Sequence, residues 1–332
     1  MRKKIVYVLQ NVVLAGGIKV IAEHVTGLVE RGHDAEVWHI KGDWSWFPRP
    51  VPHRRFPNAD VLRATLQFFR GVKVATFWTT ATWIAANLQP GEQGYYLIQD
   101  EDELTYSGSS AGTSYKLGLV PIAVGEFVTD LMWNKHSIRC TNAGIGIDHR
   151  IFQPLPFVRE QHRILTPFRT TSAGPLNLKG WDLTMAALRL VSQVVPQTSV
   201  VTFGVQALPQ IDWIPHVHIQ YPTDRKLREL YSQSGVFLSA SRHEGFGLPM
   251  LEAMACGCPV VCTDAGGNRE FCRHNDTAMV CEARSAGELA AHLQRVLTDP
   301  VHAKQLSSAG LKEVVRYHWS KVIDNLEAVY GL

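Results

Sequence analysis

Glu244 and Glu252 bracket the run Gly245-Phe246-Gly247-Leu248-Pro249. Glycine lets the backbone approach a ligand closely. The free N–H groups of Gly245, Phe246, Gly247 and the helix expected to begin near Pro249 then make a site for an anion such as phosphate. Neither carboxylate gains from lying against a diphosphate, so both are expected to turn toward hydroxyl groups. Carboxylates that hold a ribose do this at the switch point of a nucleotide-binding sheet. The plainer alternative makes Glu244 a solvated loop acid and Glu252 a first-turn acid favoured by the helix dipole.

The elements that must position these groups are legible on both sides. Apolar Gly235 to Leu238 reads as a buried strand running into Ser239-Ala240-Ser241, and Arg242 to Gly247 as a polar, glycine-rich loop. Pro249 suits the first helical turn because it lacks only an N–H that would be unpaired there. Leu251, Met254 and Ala255 supply the inward stripe, Gly257 the stop, and Pro259 to Cys262 the next buried strand.

The two glutamates and the sequence between them resemble the E-x7-E signature of retaining glycosyltransferases similar to family 4, which have the GT-B fold. Gly266-Gly267-Asn268-Arg269-Glu270 is similar to that family's GGxxE loop. The resemblance implies that Glu244 contacts the donor sugar and Glu252 holds the ribose hydroxyls. It also implies that the backbone of Gly245, Phe246, Gly247 and Leu248 approaches the sugar and phosphates. The fold it implies is α/β, with two Rossmann-like parallel-sheet domains facing across a cleft and a C-terminal helix crossing back.

A chain of 332 residues is comfortable for two domains, each burying its own core. The formal net charge of +3 is too small to argue for nucleic acid as a partner. Six cysteines without a C-x-x-C pair read as reduced core thiols of a cytoplasmic protein, and Cys256 with Cys258 makes a poor zinc site. Arg2-Lys3-Lys4 before Ile5 to Leu9 could open a signal peptide, but Gln10 and Asn11 end the apolar run early. No segment approaches the roughly 20 apolar residues that a membrane-spanning helix needs.

In the first half, strand Lys4 to Leu9, the pair Gly16-Gly17, a helix from about Ile18 to Arg31 and strand Ala35 to Ile40 form a β-α-β unit of a doubly wound sheet. It lacks G-x-G-x-x-G. By resemblance Gly16, Gly17 and Lys19 face the donor; read from the residues alone they are a helix-opening turn. The segment Asp43 to Pro50 with His53-Arg54-Arg55 is aromatic, basic and broken by proline, and is expected to form no regular element. Exposed rings beside Arg would suit sugar stacking, docking on an anionic membrane surface at the inner face, or a packed loop with no ligand. Val74 to Trp78 and Tyr95 to Gln99 are expected strands around a helix from Ala81 to Leu88. The second leads into Asp100-Glu101-Asp102-Glu103, which contains D-x-D. Positive charge is already available for a diphosphate, so no metal is expected, and Asp100 is assigned to the acceptor side. Tyr95 to Glu103 with Thr113 to Leu119 also resembles enzymes that build rhamnose-containing cell-surface polysaccharides.

Strand Pro121 to Val124, helix Glu126 to Asn134 and Gly146-Ile147-Asp148 lead to Phe152 and Pro154, similar to the family's passage between domains, although Ile145 stands where Asn is usual. Beyond it strand Ile164 to Phe168 precedes helix Leu183 to Val194, with Arg169 and Lys179-Gly180 between. By resemblance Arg169 and Lys179 clamp the donor diphosphate; alone they are loop cations. The spacer Thr170 to Leu178 is longer than the family's usual one. Strands Val200 to Gly204 and His218 to Ile219 and helix Thr223 to Ser234 continue the alternation, and Trp319 to Tyr330 is the closing helix. Residues 1–153 are thus expected to form the acceptor-side domain, 154–315 the donor domain and 316–332 the return helix.

The expected function is metal-independent, retaining transfer of a sugar from a nucleoside diphosphate sugar to a hydroxyl of a glycan, lipid-linked or small-molecule acceptor, with no cofactor. Glu244, Arg169 and Lys179 carry the chemistry. The rivals are a nucleotide-sugar epimerase or hydrolase and a catalytically silent subunit of the same fold. Base, sugar, linkage and oligomeric state are not written in the sequence.

Overall fold

The computed structural model describes residues 3–102, 111–169, 177–281 and 285–332. Glu103 and most of the spacer after Arg169 (170–176) therefore lie outside the described residues. The chain divides into two compact units, Met1–Gly146 with His318–Leu332, and Ile147–Tyr317; Pro154 and Pro156 lie inside the second.

The strands of the first unit are β1 (Lys4–Val8), β2 (Asn11–Val12), β3 (Asp34–His39), β4 (Lys41–Gly42), β5 (His53–Arg55), β6 (Val72–Ala75), β7 (Gly94–Ile98), β8 (Val120–Ala123) and β9 (Thr141–Asn142). Seven form a parallel sheet in the order β5-β3-β1-β6-β7-β8-β9, and β2 pairs with β4. Ile5, Val6, Tyr7 and Val8 are fully buried, as expected of a central parallel strand covered on both faces. The order reverses between β1 and β6, which makes that point the switch of this sheet. Helix Gly16–Glu30 follows β1 and buries Val20, Ile21, Val25 and Leu28.

Helix Trp319–Tyr330 belongs to this unit. It buries Val322, Ile323, Leu326 and Tyr330 and lies so close to helix Gly16–Glu30 that a Cβ at Gly27 would stand 2.7 Å from Ile323. The Tyr330 and Tyr7 hydroxyls meet at 2.8 Å, and Lys3 Nζ donates to the carbonyls of Tyr330 and Gly331, where a cation complements the helix end. Arg31 pairs with Asp324 at 2.6 Å and His33 with Glu327 at 2.9 Å.

The second unit holds β10 (Glu160–Pro167), β11 (Ser199–Gly204), β12 (His216–Gln220), β13 (Ser234–Ser239), β14 (Val260–Thr263) and β15 (Met279–Cys281). They form one parallel sheet, β12-β11-β10-β13-β14-β15, whose order reverses between β10 and β13. Helices Trp181–Val194 and Ala286–Thr298 bury Ala187, Leu188, Val191, Leu289 and Leu293 in its main core.

Several local expectations need correction. The expected strand Val74 to Trp78 ends at Ala75, because the Thr80 hydroxyl accepts the N–H groups of Thr76 and Phe77 and opens helix Trp78–Ala85. Helix Ala59–Phe68, capped by the Asn58 side chain, and helix Pro300–Val314, capped by Asp299, were not foreseen. The segment expected to be irregular supplies β5, and its Trp44 and Phe47 rings are buried rather than exposed. Arg49 ties it to Glu23 and Glu30 of the first helix, while Arg54 covers the rings of Trp38 and Phe56. Neither Trp44 nor Phe47 is thus free to stack on a sugar or enter a membrane surface.

Candidate active site

The second sheet's switch point gathers most of the singled-out residues. Past the end of β13 at Ser239 the chain runs through Ala240 to Arg242, and the loop turns at Gly247, whose φ of +102° suits glycine, into helix Leu248–Ala255 with Pro249 in its first turn. Gly245, Phe246, Gly247 and Leu248 are all buried. Phe246 packs on the rings of Phe271 and Tyr317 at 5.4 and 6.0 Å. The loop after β14 braces the glutamate loop: Glu244 N–H donates to Ala265 at 2.8 Å and Gly267 N–H to Glu244 at 2.9 Å. A Cβ at Gly267 would stand 2.3 Å from the Gly245 carbonyl. Asn268 fixes this brace, accepting from Ala265 N–H and donating to the Thr263 carbonyl.

The Glu244 carboxylate is held at both oxygens. Ser241 Oγ donates to one at 2.7 Å and Lys179 Nζ to the other at 2.8 Å. Lys179 comes from the opposite side of the switch, on the loop that precedes helix Trp181–Val194 after β10. Glu252 lies in the helix, 5% exposed, and accepts from the Tyr231 hydroxyl at 3.3 Å. Burial, with Glu252 beside it, drives the Tyr231 phenol far above its ordinary range, so it stays a donor. Arg169 is exposed just past β10 and among the described residues makes no hydrogen bond or ion pair with Glu244 or Lys179. Phe168, just before Arg169, packs between Trp181 and His218 at 4.8 and 6.0 Å.

In the first unit, Gly16 and Gly17 open their helix, and a Cβ at Gly17 would lie 3.1 Å from Gln99 Oε1 at the carboxyl end of β7. Asp100, half-buried there, accepts the N–H of Glu101 at 2.8 Å. The rest of the D-x-D stretch is engaged. Asp102 accepts from the Tyr96 hydroxyl at 2.8 Å and from the Trp78 N–H, and buried Glu101 pairs with Lys135. Burial pushes the Asp102 carboxyl up to about 6.

The second unit thus brings a helix N-terminus, a carboxylate and an ammonium together at the end of its sheet. Residues 172–313 match the family described as glycosyl transferases group 1. Among curated relatives, the O-antigen chain mannosyltransferase B of Escherichia coli is 33% identical over 120 residues, 36% of this chain and 30% of that protein. The N-acetyl-alpha-D-glucosaminyl L-malate synthase of Bacillus anthracis is 28% identical over 158 residues, 45% and 41% of the two chains. The chain thus spans well under half the length of these relatives. Solved structures match nearly end to end. HepE from Anabaena, in complex with UDP and glucose, superposes with a TM-score of 0.80 at 16% identity over 100% of both chains. Sucrose-phosphate synthase from Thermosynechococcus elongatus gives 0.78 at 17% identity over 99% and 98%. The fold of the chain is GT-B, built from two Rossmann-like parallel-sheet units.

Sequence reasoning singled out Glu244, Glu252 and Lys179 but not their partners Ser241 and Tyr231, nor Arg242 and Asp182, which pair at 2.6 Å beside Lys179. Only Ser241 and Arg242 lay inside the motif stretch, and nothing in residue type alone marked them as partners.

Proposed function

We propose that the protein is a retaining glycosyltransferase that moves a sugar from a nucleoside diphosphate sugar to a hydroxyl acceptor without a metal ion, in the synthesis of a cell-surface glycan. One observation carries the reading: Lys179 and Glu244 meet across the switch point, beside the N-terminus of helix Leu248–Ala255 and within the group 1 stretch. The UDP and UDP-glucose complexes of HepE support a uridine nucleotide as donor, and the Escherichia coli O-antigen enzyme supports a polysaccharide product.

In this mechanism the anomeric C–O bond to the diphosphate breaks while the acceptor oxygen bonds to the same face of the sugar. The acceptor proton passes to the departing phosphate oxygen. Negative charge grows on the leaving group, and Lys179, Arg169 and the amides of Gly245 to Leu248 stabilise it. Glu244 orients the sugar and supports its positive charge. Glu252, steadied by Tyr231, holds the ribose. By resemblance Gly16 and Gly17 are assigned to the donor, and by its place at a strand end Asp100 to the acceptor. The six free thiols suit a reducing, cytoplasmic setting, and among the described residues no helix is long and apolar enough to cross a membrane.

The test is release of free nucleoside diphosphate from UDP-, GDP- and dTDP-sugars with and without EDTA, with Glu252→Ala as control and the product's anomeric configuration read by NMR. Turnover of one donor that survives EDTA, is lost in the variant and keeps the donor's configuration supports every part. Inversion overturns the stereochemistry, EDTA sensitivity the metal independence, and inert donors with no nucleotide binding the enzyme itself.

A further inference from the structure

Lys179 can act on a leaving diphosphate only if its loop is fixed relative to the Glu244 loop, and these two loops leave different strands on opposite sides of the switch. What fixes them is visible. Arg242, two residues before Glu244, uses its own N–H to bond the Leu178 carbonyl at 2.8 Å, the residue just before Lys179. Its guanidinium reaches over the same loop: Nη1 donates to the Asn177 carbonyl at 2.9 Å, and Nη1 and Nη2 fork onto the two oxygens of Asp182 at 2.8 and 2.6 Å. Asn177 Nδ2 bonds Asp182 as well, at 2.7 Å. Beneath the fork, Gly180 at φ +62° lies against the chain just past β13, where a Cβ would stand 1.8 Å from the Ala240 carbonyl. A planar two-bond fork fixes distance and direction together, which a single ammonium contact does not. Arg242 itself is turned toward Asp182 and Asn177, away from any free role on a ligand.

We infer that Arg242, forked onto Asp182, is a positioning residue that sets Lys179 at bonding distance from Glu244 and thereby governs turnover without touching the donor. This rests on the glycosyltransferase reading given above. The Arg242 guanidinium holds the Asp182 carboxyl below the usual carboxylate range, so the fork stays ionic across neutral pH.

The experiment compares the full chain with Arg242→Lys, Asp182→Asn and the swapped pair Asp182→Arg with Arg242→Asp. Two readouts are taken: kcat and KM for nucleoside diphosphate release, and the rate at which N-hydroxysuccinimide acetate acetylates Lys179, followed by peptide mass spectrometry. Arg242→Lys is expected to lower kcat ~10- to 100-fold, the cost of misplacing a reacting group by about an ångström. It should leave KM within about threefold. Acetylation of Lys179 should speed up in both single variants, and the swapped pair should recover kcat and protection together. Unchanged acetylation in Arg242→Lys overturns the inference even if no donor turns over, whereas an inert wild type with altered acetylation overturns only the function it rests on. A drop in kcat that matches a drop in folded fraction, with no recovery in the swap, also overturns it, since that is plain destabilisation.

Discussion

At the scale of single residues the ion pair of Lys179 and Glu244 does two things at once. It holds the ammonium at the sheet end, and it leaves Glu244 with one oxygen set by Ser241. Lys179→Ala should therefore cut kcat ~10²- to 10³-fold, as loss of one stabiliser of developing charge does. Glu252→Ala should mainly weaken nucleotide affinity, measured by calorimetry with UDP. Unchanged kinetics and binding in both variants would sink the assignment. Asp102 offers a pH test. Its folded carboxyl titrates at about 6, against about 4 in the unfolded chain, so the folded state holds that proton more tightly. Its contribution to stability is full below about pH 4 and is lost as pH rises to about 6. In urea titrations the wild type should lose on the order of 2 kcal/mol over that window relative to Asp102→Asn, and parallel curves would contradict the shift. Glu244 and Glu252 could be singled out in the sequence because they bracket one short stretch, and Lys179 by resemblance to one motif; that Lys179 meets Glu244 is what the structure adds. Arg242 could not be singled out, since its partners Leu178, Asn177 and Asp182 meet it only once β10 and β13 lie side by side, and nothing in the residue type of Ser241 marked it as a partner of Glu244.

At the scale of elements, strands and helices were legible wherever apolar period and punctuation agree. The buried runs at β1, β13 and β14 and the closing helix Trp319–Tyr330 are of this kind. Helices Ala59–Phe68 and Pro300–Val314 escaped although Asn58 and Asp299-Pro300 are helix-start signals, because the first buries only Leu62 and Leu66 and the second buries polar His302 and Glu313 among its few apolar residues, so the apolar stripe is thin. The aromatic segment misled for the opposite reason. Proline breaks suggested an exposed loop, but tertiary burial of Trp44 and Phe47 and the Arg49 ion pairs fold it back on the first helix. Among the described glycines Gly180 leaves the least room for a Cβ. Gly180→Ala combines a left-handed φ with a backbone clash, so it should cost more than about 2 kcal/mol in urea unfolding. Gly287→Ala, at a helical site with open space around it, should be neutral or stabilising by up to about 1 kcal/mol. Equal effects at the two glycines would contradict the contact.

At the scale of the molecule Glu244, Glu252 and Lys179, the residues proposed to face the nucleotide, all lie in the second unit. A bound nucleoside diphosphate at about 100 times its Kd should stabilise that unit by about 2.7 kcal/mol. Hydrogen exchange with and without UDP should show slowed amides within 177–281; slowing confined to the first unit would contradict the donor assignment. The GT-B class was readable in advance from alternating strands and helices plus one motif, whereas the reach of the first unit to the last residues of the chain was implied only by resemblance. That reach has a consequence during synthesis. The helix that buries Tyr330 against β1 is made after the whole of Ile147–Tyr317. At about 5–20 residues per second, the nascent first unit waits on the order of ten to thirty seconds with its apolar groove open. The second unit, continuous in sequence, can close before it. On the ribosome this protein finishes its beginning last, and the interval is one in which a chaperone that shields apolar grooves would raise the yield of folded chain.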